Sequence, residues 1–228
     1  MSRRILVLVP VLLALVVTGA CSGGGSDEPA AKADFDAAQT LRQSAQAMAK
    51  LKSVAFTVES EGTTPVIVKG GDLKLLREGD AEGTLTVEQQ GQNVEMKVVA
   101  AGESLYLDAG TGGWRKVPKA LAASMYDPSA VLDPQRGIAK LLESAAAPEP
   151  QAVEKVDGRE AYRVGVKLPK DRIAGLIPGI NADLEGRVWV SKADHRLVKV
   201  RGAFPGDRGA VVISFTEFDA RYEISAPR

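Results

Sequence analysis

The chain has 228 residues with 29 basic and 29 acidic side chains, so it carries no formal net charge at pH 7. That balance argues against nucleic acid as a partner, because such binding needs a clustered basic face. A single cysteine forbids an internal disulfide, and aromatics are 5% against 45% apolar residues, so any core is built mostly of Val, Leu, Ile and Ala.

Arg3 and Arg4 precede an apolar run from Ile5 to Val17, and Thr18, Gly19 and Ala20 lead into Cys21. A basic start, a short apolar run and a small-residue site are the parts of an export signal. The run falls short of the roughly 20 residues a spanning helix needs, and Pro10 interrupts it. Thr18-Gly19-Ala20-Cys21 resembles the lipobox of bacterial lipoproteins, whose cysteine takes a diacylglyceryl group and becomes the mature N-terminus. Thr18 stands where Leu or Val is usual, with Val17 one step further back. The alternative is an ordinary secreted protein with an incidental cysteine. Gly23-Gly24-Gly25-Ser26 then reads as a flexible tether. Two or more acyl chains hold a protein stably to a bilayer, so a lipobox implies permanent attachment at Cys21 to the outer leaflet of the cell membrane. The expected organisation is a signal peptide (1–20), a tether (21–33) and one domain (34–228).

Asp34 to Lys52 predicts a helix with Phe35, Ala38, Leu41, Ala45, Met48 and Leu51 on one side and Asp34 or Asp36 as N-cap. The period then changes to two. Val54, Phe56 and Val58 alternate up to Gly62, and Val66 to Leu76 reads as a strand with a bulge or turn at Gly70-Gly71. Leu85 and Val87 alternate before a turn at Gly91-Gln92-Asn93, and Val94, Met96 and Val98 alternate after it. A short strand at Leu105–Leu107 is followed by the glycine-rich turn into Trp114. Two helical patches come next: Lys119–Tyr126 with Leu121 and Met125, and Pro134–Ala147 with Ile138, Leu141 and Leu142, capped by Asp133. The run from Ala145 to Pro150 ends that helix and is the one plausible internal boundary. Ala152–Val156, Asp157-Gly158 and the run from Tyr162 to Leu168 predict a hairpin. Pro169–Ile177 is a short amphipathic helix carrying Ile173, Leu176 and Ile177, and three strands at Leu184–Val190, Leu197–Val200 and Val211–Phe218 follow.

Catalytic chemistry is thin. His195 is the one histidine, and Lys192-Ala193-Asp194-His195-Arg196 reads as a solvated turn between strands. A zinc site of the usual His/Cys kind lacks its ligands. No nucleophile elbow, phosphate loop or dinucleotide fingerprint occurs. Asp80 with Glu82, and Glu217 with Asp219, are the two acid pairs an acid/base mechanism could use. The expectation is a protein that is not an enzyme and needs no cofactor.

An antiparallel sheet of this kind buries one face against a covering layer. Its apolar residues could fill a solid core or line a greasy hollow, and the pattern alone leaves both open. The order of motifs resembles the LppX/LprAFG family of actinobacterial lipoproteins, related in fold to the lipoprotein carrier LolA. After the lipobox, Leu51-Lys52-Ser53-Val54-Ala55-Phe56 resembles the family's L-x-S-x-x-F strand. Glu103-Ser104-Leu105-Tyr106-Leu107 with Trp114 resembles a second family stretch, and Val156-Asp157-Gly158-Arg159-Glu160-Ala161-Tyr162 its hairpin. Gly186-Arg187-Val188-Trp189-Val190 and Phe215-Thr216-Glu217-Phe218, with Ile224 and Pro227, resemble the closing strands. Phe218 stands where Tyr is frequent, and His195 in a turn often built on Gly.

The resemblance implies an α+β fold: a strongly curved antiparallel half-barrel with helices over its concave face, enclosing a cavity for acylated lipids or lipoglycans. It implies a lipid carrier working toward the outer envelope, attached to the membrane by its N-terminal lipid, with room for a membrane transporter as a further partner. The wall candidates on the strands are Val54, Phe56, Val58, Leu85, Val87, Met96 and Val98. Those on the helices are Met125, Ile138, Leu141, Leu142, Leu176 and Ile177. The alternative is a protein-binding or regulatory module of the envelope on the same scaffold, without lipid cargo.

Overall fold

The computed structural model describes residues 33–123, 127–177 and 180–228. The predicted export signal, Cys21, most of the tether, Met125 and Pro178-Gly179 lie outside the described residues.

The first helix, α1, is Ala37–Met48, and Asp36 is its N-cap, its carboxylate accepting the Gln39 N–H at 2.8 Å. Its buried stripe is Ala37, Thr40, Leu41, Ser44, Ala45 and Met48. That stripe is rotated from the predicted one, because Thr40 and Ser44 are buried while Ala38 is only half so. Thr40 is tolerated inside because its hydroxyl donates to the Asp36 carbonyl at 2.8 Å.

Six strands follow as a meander: β1 (Ser53–Glu61), β2 (Val68–Leu76), β3 (Ala81–Gln89), β4 (Gln92–Ala101), β5 (Ser104–Asp108) and β6 (Arg115–Pro118). The turn between β3 and β4 is Gln90-Gly91, one residue earlier than predicted, with both residues left-handed at φ 51° and 79°. A two-residue hairpin turn with two positive φ angles matches the twist of its strands. The crossing segment 119–145 holds α2 (Lys119–Ala123), a 3-10 turn (Pro128–Ala130) and α3 (Ile138–Ser144). A second meander carries β7 (Ala146–Val156), β8 (Arg159–Leu168), α4 (Lys170–Ile173), β9 (Leu184–Ser191), β10 (Leu197–Ala203) and β11 (Ala210–Phe218). The expected Asp157-Gly158 turn joins β7 to β8.

All eleven strands form one antiparallel sheet in the order β6-β5-β4-β3-β2-β1-β11-β10-β9-β8-β7. The pairing of β1 with β11 joins the two meanders, and β6 and β7 remain as unpaired edges, so the sheet is open and curved rather than a closed barrel. The fold class is the one expected.

Several boundaries differ from the sequence expectation, each for a physical reason. The helix predicted from Pro134 begins at Ile138, because Asp133 caps a turn instead: its carboxylate accepts from Gln135 N at 2.7 Å and Arg136 N at 3.2 Å. The Gln135 N–H bond, then the Arg136 guanidinium at 3.0 Å, holds the Asp133 carboxyl below its ordinary range. The expected boundary at Ala145–Pro150 is the start of β7. Pro148 and Pro150 fit there since an edge strand can lack a donor on its outer side. The helix predicted to reach Ile177 is regular only over Lys170–Ile173.

The break predicted at Gly70-Gly71 is a register shift inside a continuous β2. A Cβ on Gly71 would stand 2.7 Å from the Thr84 carbonyl oxygen, and one on Gly83 only 2.0 Å from that of Asp72. The two strands approach each other there more closely than side chains allow.

One main cluster unites Leu41, Ala45 and Met48 of α1, Ile138 and Leu142 of α3, and inward residues of both meanders. α1 packs on α3 and touches β7 and β9. Arg77, just beyond β2, fastens this cover to the sheet. Its Nε donates to the Leu51 carbonyl at 2.7 Å, and its Nη2 to the carbonyls of Ala49 (2.7 Å) and Leu51. Hydrogen bonds from a charged donor contribute about 1.5–3 kcal/mol. Arg77→Met is expected to cost about 2 kcal/mol, read as a lower denaturant midpoint at unchanged slope.

Candidate functional site

The inner face of the sheet can be followed across strands, because residues directly opposite one another share a face. Val164, Val188, Val200, Ile213, Val58, Gly71, Leu85 and Met96 stand in register from β8 to β4. Burial fades along that line. Val164 and Val188 are 0% and 1% exposed, while Val200, Ile213, Val58, Leu85 and Met96 are half-buried. A neighbouring row holds Phe215, Phe56, Leu73, Gly83, Val98 and Leu107. Phe215 and Val98 in it are buried, and Phe56, Leu73 and Leu107 half-buried. The next row, Val54, Leu75, Ala81 and Ala100, is fully buried.

The wall candidates thus fall into two sets. Val54, Ile138 and Leu142 lie within the main cluster, and Val98 is buried without belonging to it. Phe56, Val58, Leu141 and Ile177 pack against the cluster's border and stay half-buried. Leu85, Val87, Met96 and Leu176 are half-buried too. Met125 lies outside the described residues. The half-buried strand members, Phe56, Val58, Leu85, Val87 and Met96, share the inner face of β1 to β4. Sequence reasoning missed Leu73, Leu107, Val200 and Ile213 as members of these rows. Their alternation was visible, but the β1–β11 pairing that aligns them is not a local signal.

Charged and polar residues surround two grooves on the outer face, which also carries Trp189, clustered with Ala161 and Val198. One groove of about 840 Å³ is lined by residues that include Arg159, Lys192, Arg196, Thr216 and Glu217. Another of about 460 Å³ is lined by Asp72, Lys74, Thr84, Lys97, Trp114, Thr216 and Glu217 and also by Ala55, Phe56, Leu73, Val98 and Val99. Tyr222 donates to Glu217 at 2.8 Å. Burial, then this bond to a carboxylate, pushes its phenol well above the ordinary range, so it stays a donor. The acid pairs do not face each other as acid and base. Asp80 meets Lys119 at 3.2 Å, Glu82 meets Lys74 at 3.2 Å, and Asp219 meets Arg196 at 2.7 Å. His195 is half-buried in the β9–β10 turn at φ 57°. Among the described residues, no group of three His, Cys, Asp or Glu could hold a metal ion.

A model of the LppX_LprAFG lipoproteins matches residues 36–224, from the N-cap of α1 to beyond the last strand. The chain belongs to the LppX_LprAFG lipoprotein family. Among LppX_LprAFG relatives, the lipoarabinomannan carrier protein LprG of Mycolicibacterium hassiacum is 30% identical over 99% of this chain and 98% of its own. LprG of Mycolicibacterium smegmatis is 28% identical over 100% and 99%. The solved structure of the family's LprF from Mycobacterium bovis aligns with a TM-score of 0.74 at 21% identity, covering 84% of this chain and 96% of that one. LppX from Mycobacterium tuberculosis aligns at 0.64 and 18% identity, covering 85% and 100%. These structures share the open curved sheet and its helical cover.

Proposed function

We propose that this chain is an exported, membrane-anchored lipoprotein that holds the acyl chains of a lipid or lipoglycan in a concave trough and carries them toward the outer envelope. The observation that carries the reading is the apolar row from Val164 to Met96, which leaves the helical cover without turning polar. The relatives named lipoarabinomannan carrier proteins, matched over nearly their whole length, support it. In this reading Phe56, Val58, Leu85, Val87, Met96 and Val98 wall the trough from the sheet. Leu141, Leu176 and Ile177 wall it from the helical side, over a floor of Val54, Ile138 and Leu142.

The energetics suit such a role. Each methylene withdrawn from water contributes about 0.8 kcal/mol, so one chain of about 16 carbons gains on the order of 12 kcal/mol. Aliphatic walls make no directional demands, so acyl length is loosely selected. No step needs a catalytic group. Cys21 carries the anchor, and residues 21–33 give the domain a reach of at most about 45 Å from the bilayer surface.

Native mass spectrometry of a form lacking Cys21, made in a lipid-rich related host, tests this. The expected spectrum contains a non-covalent adduct of acyl-lipid mass that organic solvent removes. A bare polypeptide mass, unchanged after incubation with diacylated and triacylated lipid, would overturn the carrier reading and leave the protein-binding module.

A further inference from the structure

We infer that the outer face of the same sheet carries a second site, a groove that binds an uncharged glycan while the trough behind it holds acyl chains. The inference rests on the carrier reading for the source of the glycan, the saccharide part of an acylated cargo. Strand geometry sets the two sites back to back. Leu73, Leu85 and Val98 point into the trough, and the residues alternating with them, Asp72, Thr84 and Lys97, point outward.

Asp72, Thr84, Lys97 and Asp108 stand opposite one another on β2 to β5. Trp114 leads directly into β6 and lines the groove with the first three. Among the described residues, the side chains of Asp72, Thr84, Lys97 and Trp114 enter no hydrogen bond or ion pair with one another or with a neighbour. Their neighbours do: Lys74 is paired with Glu82 at 3.2 Å, and Glu217 is held by Tyr222 at 2.8 Å. The result is an acceptor, a hydroxyl and a donor at the strand spacing of about 4.8 Å, ending at a half-buried indole.

Charge selects the ligand class. The groove offers the carboxylates Asp72, Glu82 and Glu217 alongside the ammonium groups of Lys74 and Lys97, over a lining that also includes Ala55, Phe56, Leu73, Val98 and Val99. A polyanion meets the former and a polycation the latter. Sugar hydroxyls, which donate and accept, satisfy both signs, and the apolar face of the Trp114 indole can cover the C–H face of a ring. Thr216 and Glu217 line both outer grooves, so the surface continues past β11 toward Arg159 and Arg196. That continuity suits a saccharide chain rather than a single sugar.

Calorimetry of the full chain in detergent, titrated with acyl-free mannan, tests the site, with uptake of a fluorescent long-chain fatty acid as the parallel arm. Saturable mannan binding is expected. Trp114→Ala should weaken it about tenfold through the lost stacking surface, and Lys97→Gln several-fold, with fatty-acid uptake unchanged in both. Lys97 is exposed, so its variant keeps the test valid should Trp114→Ala fail to fold. Absence of mannan binding alongside normal fatty-acid uptake overturns the groove and leaves the carrier reading. Mannan binding unaffected by Lys97→Gln, or displaced by an unstructured peptide, also overturns it. Mannan binding sensitive to both variants, without fatty-acid uptake, keeps the groove and overturns the carrier reading.

Discussion

Met96→Trp is expected to lower uptake of a fluorescent long-chain fatty acid by at least about tenfold while moving the melting temperature by no more than about 3 °C. Met96 lies opposite Leu85 at the β4 end of the inner apolar row and is half-buried, so a larger side chain there extends into the trough rather than into the packed interior. Excluding only two methylenes of the cargo removes about 1.6 kcal/mol, already more than a factor of ten in affinity. Val98→Trp makes a useful contrast. Val98 is 8% exposed and faces Leu107 and Gly83, so overpacking there costs about 1–3 kcal/mol of stability. Its effect on uptake is therefore entangled with folding. A fluorescence titration beside a thermal melt reads both quantities, and normal uptake by Met96→Trp would remove β4 from the wall.

What the chain disclosed in advance follows from how local each signal is. The alternation of Val54, Phe56 and Val58, the Asp157-Gly158 turn and the Asp36 cap are each decided within a few residues, and each stands where the pattern put it. β6 was missed because four residues, Arg115–Pro118, are too few to establish a period and hold two cations and a proline. The first residues of β7 read as a helix end and an internal boundary because Ala and Pro suggest one. An edge strand tolerates them, and edge position belongs to topology rather than to composition.

The trough itself was legible by face but not by depth. Val54 and Val58 lie on the same side of β1 and are alike in sequence, yet one is fully buried and the other half-buried. Val54 belongs to the cluster that includes α1 and α3 while Val58 only packs against it, a tertiary difference that no window along β1 reports. Thr40 and Ser44 make the same point from the helix: neither belongs to the predicted apolar stripe, and both are buried. The outer groove gave less warning still, since Asp72, Thr84 and Lys97 are ordinary outward residues of their own strands. Pairing of β2, β3 and β4 aligns them, and the chain's return at Trp114 encloses one end.

Leu142→Ala is expected to produce the opposite signature from Met96→Trp. Leu142 is 2% exposed, on α3, within the cluster that joins α1, α3 and both meanders. Truncating a buried leucine removes its transfer free energy and leaves a cavity, at a cost of about 2–5 kcal/mol. A domain of this size loses about 2–4 °C per kcal/mol, so a fall on the order of 10 °C follows. The vacated space lies in the floor, and no bulk is added to the trough, so fatty-acid uptake below the melting transition should persist. Differential scanning calorimetry and the same fatty-acid titration separate the outcomes. An unshifted melt with uptake lost would make the inner surface of α3 a wall touching cargo, and would move the boundary between packed core and open trough one layer toward the helices.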